Sequence, residues 1–167
     1  MKFIVLILFT VLIVIGCSKK SGEDYLKSAE ENMKNNKLQE AVADYENFVK
    51  ENPQNEKAPD ALSKLASIYQ SKMLKNISDR ESFEKAANYY KKVFDDYPSS
   101  KQAPASLFMS AFVLANELKK YHLAEVTYHL FLQKFQNHEL ANSAREELEN
   151  LGLSPEEILK KKNSPNI

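Results

Sequence analysis

The sequence has one cysteine, three glycines, no tryptophan and no net charge. A single cysteine, Cys17, excludes an intramolecular disulfide. So few glycines leave little backbone for positive φ. That argues against hairpin-rich β-structure and against loops that cradle phosphate. Lys+Arg and Asp+Glu both number 23, so bulk electrostatics gives no drive toward nucleic acid. No Gly-rich phosphate loop, nucleophile-elbow pattern or cysteine–histidine pair occurs. His122 and His129 lie seven residues apart on one expected helix, a rise of about 10 Å, too far to share one metal. His138 stands apart from both, and the i, i+4 histidine pair of zinc helices is missing. Asp95 and Asp96 read as solvated carboxylates at a helix end. No catalytic residue, metal, cofactor or small-molecule substrate is implied, and an enzyme is not expected.

What is present begins with a leader. Lys2 precedes an apolar run, Phe3–Ile15, broken only by Thr10. As a helix this run spans about 20 Å, against a bilayer core of roughly 30 Å. It is short for an anchor and suits a signal-peptide core. The run ends Val14-Ile15-Gly16-Cys17, which resembles the bacterial lipobox. The resemblance implies a signal peptide over 1–16, cleavage before Cys17 and lipidation of Cys17. Two or three acyl chains would hold the protein durably to a membrane. The alternative is an uncleaved anchor with an incidental cysteine. Ser18 follows the cysteine; the absence of Asp there favours the outer membrane, facing the periplasm, or the outer face of the cell membrane in a Gram-positive source. Residues 17–22 read as a lipidated, flexible tether.

The mature chain is all helix-patterned, with Ala, Leu, Lys, Glu and Asn dominant. Helix periodicity predicts seven segments from 23 to 152. These are Asp24–Asn35, Leu38–Glu51, a third capped by Asn55 with Pro59 in its first turn, Ser78-capped Asp79–Asp96, Ala103–Leu118, Tyr121–Phe135 and Leu140–Leu151. Gly152 is an αL stop, and Ser154-Pro155-Glu156-Glu157 caps a short last helix ahead of a fraying tail, so 153–167 is a C-terminal appendage.

The windows 38–62, 83–107 and 121–145 align without gaps. Three columns are identical: Ala41/Ala86/Ala124, Tyr45/Tyr90/Tyr128 and Ala58/Ala103/Ala141. Small residues permit close helix approach, aromatic residues fill the space beside them, and stacked pairs must share a core. This pattern resembles the tetratricopeptide repeat. Leu65-Ala66-Tyr69 matches the family's first helix; Ala41-Tyr45-Pro53 and Ala86-Tyr90-Pro98 match its second. The resemblance implies a right-handed α-solenoid of about three helix pairs plus a capping helix, over 23–152. Ser28, Ala29 and Asn32 depart from the family's pattern in the first helix, and Gln136 replaces a proline. Arg145 and Glu149 make the seventh helix read as the polar cap. The Tyr97–Leu107 junction, with the lipobox, also resembles two narrower groups. They are the lipoprotein of the outer-membrane β-barrel assembly machinery and the Tol–Pal-associated coordinator.

The family's first helices line a concave face. Carried over, that register exposes Leu26, Glu30 and Met33, then Asp60, Ser63, Ser67 and Gln70, then Phe108, Phe112 and Asn116. Phe108 and Phe112 would form an apolar pocket for an extended peptide or amphipathic helix; the alternative is packing against the seventh helix. The connection 72–79 carries Met73, Leu74 and Ile77 as a second candidate surface, with packing back onto the helices as its alternative. Two functions follow. One is a lipid-anchored scaffold that binds other envelope proteins or peptides through the groove, in a setting such as outer-membrane protein assembly. The other is a structural or regulatory subunit of a cell-wall or Tol–Pal-type complex that uses the convex face and the 72–79 loop.

Overall fold

Ser21 opens the first helix with a complete capping box. Its hydroxyl accepts from the Asp24 amide at 3.2 Å, and the Asp24 carboxylate accepts from the Ser21 amide at 3.1 Å. The computed structural model describes residues 20–163. The leader, Cys17 and the last four residues lie outside the described residues. Lys20–Gly22, expected as flexible tether, belong instead to the folded body. Ser21 is the N-cap and Gly22 the first residue of α1. A Cβ on Gly22 would sit 2.9 Å from the Asn52 side chain, so glycine permits that approach.

The described elements are α1 (Gly22–Lys34), α2 (Leu38–Glu51), α3 (Ala58–Gln70), α4 (Asp79–Asp96), α5 (Ala103–Phe112), a π-helical turn (Val113–Glu117), α6 (Tyr121–Lys134), α7 (Ala141–Glu149) and α8 (Pro155–Asn163). Among the described residues there is no strand, and the chain is all-α. The principal packing runs between helices consecutive in sequence, from α1 on α2 through to α6 on α7.

The aligned windows share a backbone pattern. After α2, α4 and α6 the chain makes the same two turns. Asn55 N donates to Asn52 O at 3.0 Å and Ala58 N to Asn55 O at 2.9 Å. The equivalents are Ser100 to Tyr97 at 2.9 Å and Ala103 to Ser100 at 3.1 Å, then His138 to Phe135 at 3.0 Å and Ala141 to His138 at 2.9 Å. Proline occurs in the first two turns and Gln136 in the third, so the turn does not depend on proline. At the opposite ends, Asn36, Lys72 and Lys119 take φ of 56°, 56° and 54°, and Gly152 takes φ 80°. Each follows α1, α3, the π turn or α7, so left-handed backbone closes every odd-numbered helix.

The three identical columns are core positions. Ala41, Ala86 and Ala124 are all 0% exposed, and Tyr45 and Tyr128 are sealed beside them. One apolar cluster joins α1 to α4 around Phe48, Leu62 and Leu65. Another joins α5 to α7 around Leu107, Phe108 and Phe131. A third, with Phe83, Tyr90, Val113 and Leu118, links them. Each fully buried phenylalanine contributes about 2–3 kcal/mol by area.

Two local expectations fail for identifiable reasons. Asn55 does not cap α3; its carboxamide oxygen accepts from the Lys57 amide at 2.9 Å, closing the turn ahead of the helix. The helix expected over Ala103–Leu118 changes to π geometry, with Leu118 N donating to Val113 O at 3.1 Å. In an α-helix, residues five apart diverge by about 140°. The wider turn lets Val113 and Leu118 enter the same buried cluster. Ser154 and Glu157 form the expected reciprocal cap of α8.

Candidate partner-binding groove

A concavity lies along the odd-numbered helices. Glu23, Leu26, Lys27 and Glu30 of α1 form one wall. Glu56, Lys57, Pro59, Asp60 and Lys64, from the turn before α3 and from α3 itself, form the floor. Ser100, Lys101 and Gln102, just ahead of α5, close the far side, and the groove encloses about 980 Å³. The repeated turns place these segments side by side, because each returns the chain to the same end of the array.

The lining is charged, and two of its lysines, Lys57 and Lys64, pair with its carboxylates. Lys57 Nζ lies 2.8 Å from Glu23 Oε1. Lys64 Nζ lies 3.4 Å from Glu30 Oε1 and 3.3 Å from Asp60 Oδ2. The Glu23 carboxylate holds the Lys57 ammonium above its ordinary pKa. For Lys64, burial opposes the charge, but Tyr45, Asp60 and Glu30 outweigh it and the pKa rises. Exposed pairs of this kind contribute little to stability, so a partner's charges can replace them at small cost. Chemically, the groove offers exchangeable ion pairs around an apolar strip, Leu26 and Pro59.

Of the positions expected on this face, Leu26, Glu30 and Asp60 line the groove. Met33 is 38% exposed but lies outside its lining. Ser63 is tied to Pro59 O at 2.9 Å and meets Ser106 Oγ at 3.2 Å. The Tyr90 hydroxyl donates to Gln70 Oε1 at 2.9 Å and meets Ser67 Oγ at 3.2 Å. These three side chains therefore bond helices together. Asn116 is exposed, and its amide donates to Glu147 Oε2 on α7 at 3.2 Å.

Phe108 is a correction. It is buried, with its ring edge-on to Tyr128 at 5.6 Å and to Phe131 at 5.9 Å, both on α6. Phe112 stacks on Phe108 at 6.5 Å and is half-buried. The expected apolar pocket is filled from within, because α6 covers that side of α5. In the 72–79 connection, Leu74 is buried and Ile77 half-buried against the first cluster, whereas Met73 is 55% exposed. Leu74 is thus a correction to the expected surface, and Met73 alone of the three stands out from it.

His122 and His129 are exposed, and His138 is half-buried, with its Nδ1 accepting from the Leu140 amide at 3.2 Å. Among the described residues no cluster of histidine, aspartate or glutamate could hold a metal. No helix among them is long and apolar enough to cross a membrane. Sequence reasoning missed Lys27, Lys57, Lys64 and Lys101 as groove residues. Their signal, lysines on polar helix faces (Lys27, Lys64) and in turns (Lys57, Lys101), is the same as that of any solvated surface.

No protein-family model matches the chain, and no curated protein matches it.

Proposed function

We propose that this protein is a lipid-anchored scaffold of the cell envelope, a binding protein rather than an enzyme. In this reading it captures a segment of another envelope protein in the groove between α1, α3 and the start of α5. The helices form a right-handed, tetratricopeptide-like solenoid of about three pairs, with α7 as the polar cap. Lipid at Cys17 holds it to the outer membrane on the periplasmic side, where outer-membrane protein assembly is the setting that the sequence resemblance favours. The observation that carries the reading is the groove itself. It joins α1 to the equivalent turn regions of two successive windows, ahead of α3 and of α5, which carry the same backbone bonds. The paired charges along it suit a polar, extended segment more than an apolar helix.

Met73 supports a second reading, contact through the 72–79 loop as a subunit of a cell-wall or Tol–Pal-type complex. One experiment separates them. A photo-cross-linking residue is placed at Asp60 or at Met73 in intact cells. A discrete adduct from position 60, lost when Lys64→Glu and Lys101→Glu are combined, supports the groove. Adducts from position 73 alone overturn it in favour of the loop. Cys17→Ala tests the anchor: a variant that still pellets with membranes after detergent-free washing removes the lipid from the proposal.

A further inference from the structure

We infer that the body is held at the membrane in one orientation, with the end carrying the 52–57 and 97–102 turns nearest the lipid surface and the 72–79 loop directed away. The inference rests on the lipid-anchor reading above. It starts from Lys20, the first described residue. Lys20 Nζ lies 3.0 Å from Asp44 Oδ1 on α2. Asp44 is a buried carboxylate, 8% exposed, that also accepts from Ser28 Oγ at 2.6 Å and Asn32 Nδ2 at 2.9 Å. The chain is then fixed again at Ser21 by the capping box and at Gly22 by its approach to Asn52. Three consecutive residues are thus docked. Cys17 is three residues from Lys20, a reach of at most about 11 Å. A lipid on Cys17 therefore pulls on a fixed point of the body rather than on a loose string.

Ser21 and Gly22 stand at one end of the helix array, and the Lys20 side chain reaches from there to the middle of α2. Asn52 starts the turn after α2. The Tyr97 hydroxyl, in the turn after α4, donates to Pro53 O at 2.7 Å. Phe135, in the turn after α6, meets Phe94 at 5.9 Å. These turns share the end at which α1 begins. The left-handed turns lie at the other end. There Lys120 Nζ, ahead of α6, pairs with Glu84 near the start of α4 at 2.9 Å. The 72–79 loop packs beside Gln39 and Val42 at the start of α2. Helices of 13 to 18 residues separate the two ends by about 20–27 Å.

The test uses lipidated protein purified from cells and reconstituted in phosphatidylethanolamine–phosphatidylglycerol vesicles that carry a nitroxide on the headgroup. With the Cys17 thiol acylated, an introduced cysteine is the one free thiol for a fluorophore. Gln54→Cys and Met73→Cys report the two ends. The expected result is at least twofold stronger quenching at position 54 than at 73. The same ratio falls toward one in Lys20→Glu, which places a second carboxylate at Asp44. Asp44→Asn is the second variant, accepted only if its helical circular dichroism matches the parent. Equal quenching at the two sites, or a ratio indifferent to both variants, overturns the orientation while leaving the anchor in place. Protein that fails to float with vesicles and shows a reactive Cys17 thiol overturns the anchor and the orientation together.

Discussion

The Asp44 carboxylate lies 2.6 Å from the Ser28 hydroxyl, joining α2 to α1 through a charge that is almost fully enclosed. Ser28 and Asn32 stand on α1 at the spacing that Leu65 and Tyr69 have on α3, so the first pair exchanges apolar packing for a satisfied carboxylate. Buried polar groups are costly only when unpaired, and here three donors converge on one side chain. Asp44→Ala leaves Ser28 and Asn32 facing a void. It is expected to destabilise by about 2–3 kcal/mol, read as a lowered urea midpoint at unchanged slope. Ser28→Ala, which leaves two donors on the carboxylate, is expected to cost about 1 kcal/mol.

Phe108 and Phe112 separate by the same measurement. Phe108 packs against two aromatic rings of α6, and Phe108→Ala opens a cavity that costs about 3–5 kcal/mol. Phe112 lies at the margin of that cluster, and its alanine variant is expected to cost less than half as much. Urea unfolding of the two single variants checks the order. Equal costs, or a greater cost at Phe112, would contradict the packing described.

That pair also marks where sequence reading stops. The identical Ala and Tyr columns located the core because a buried small residue beside a buried aromatic is constrained in every window. The caps at Ser78 and Ser154 and the stop at Gly152 were legible because each is a local bond or a local φ. The covered side of α5 was not legible. From Leu107 to Leu114 only Ser110 is polar, so apolar residues lie nearly all round the helix and periodicity cannot choose between α6 and open groove. The Asp44 site was hidden for another reason. Ser28 and Asn32 read as defects in a pattern until their common partner, 12 to 16 residues away, is placed between them.

Glu46 links two phenols on the outer side of α2. The Tyr89 hydroxyl donates to its Oε1 at 2.6 Å and the Tyr69 hydroxyl at 3.3 Å, with the rings stacked 5.6 Å apart. Burial, then the Glu46 charge, pushes Tyr69 up to about 12; burial, then the hydrogen bond to Glu46, pushes Tyr89 upward as well. A raised phenol contributes stability that is complete below the ordinary value of 10.0 and is lost as pH climbs toward 12. Unfolding midpoints are therefore expected to fall across that window. Tyrosinate absorbance at 295 nm checks the cause: in Glu46→Gln the late-ionising phenols shift to lower pH, and no shift would remove Glu46 from the account.

The left-handed turns make opposite predictions at different positions. Gly152 has φ 80°, and a Cβ there would meet only the Tyr121 ring at 3.7 Å, an ordinary contact. The cost of Gly152→Ala is thus backbone alone, about 1–2 kcal/mol, less some unfolded-state entropy, for a net loss near 1 kcal/mol. Lys119 holds φ 54° with a Cβ, so Lys119→Gly relieves the same strain and is expected to gain about 0.5–1 kcal/mol. Asn36→Gly gains less, because asparagine tolerates this region. Lys72→Gly gains nothing, since its ammonium pairs with Asp79 at 3.4 Å and lies 5.5 Å from the centre of the Phe83 ring. The four urea midpoints should therefore rank Lys119→Gly above Asn36→Gly, then Lys72→Gly, then Gly152→Ala. A gain at Lys72 as large as that at Lys119 would mean that its side-chain contacts contribute nothing and that backbone strain alone governs these turns.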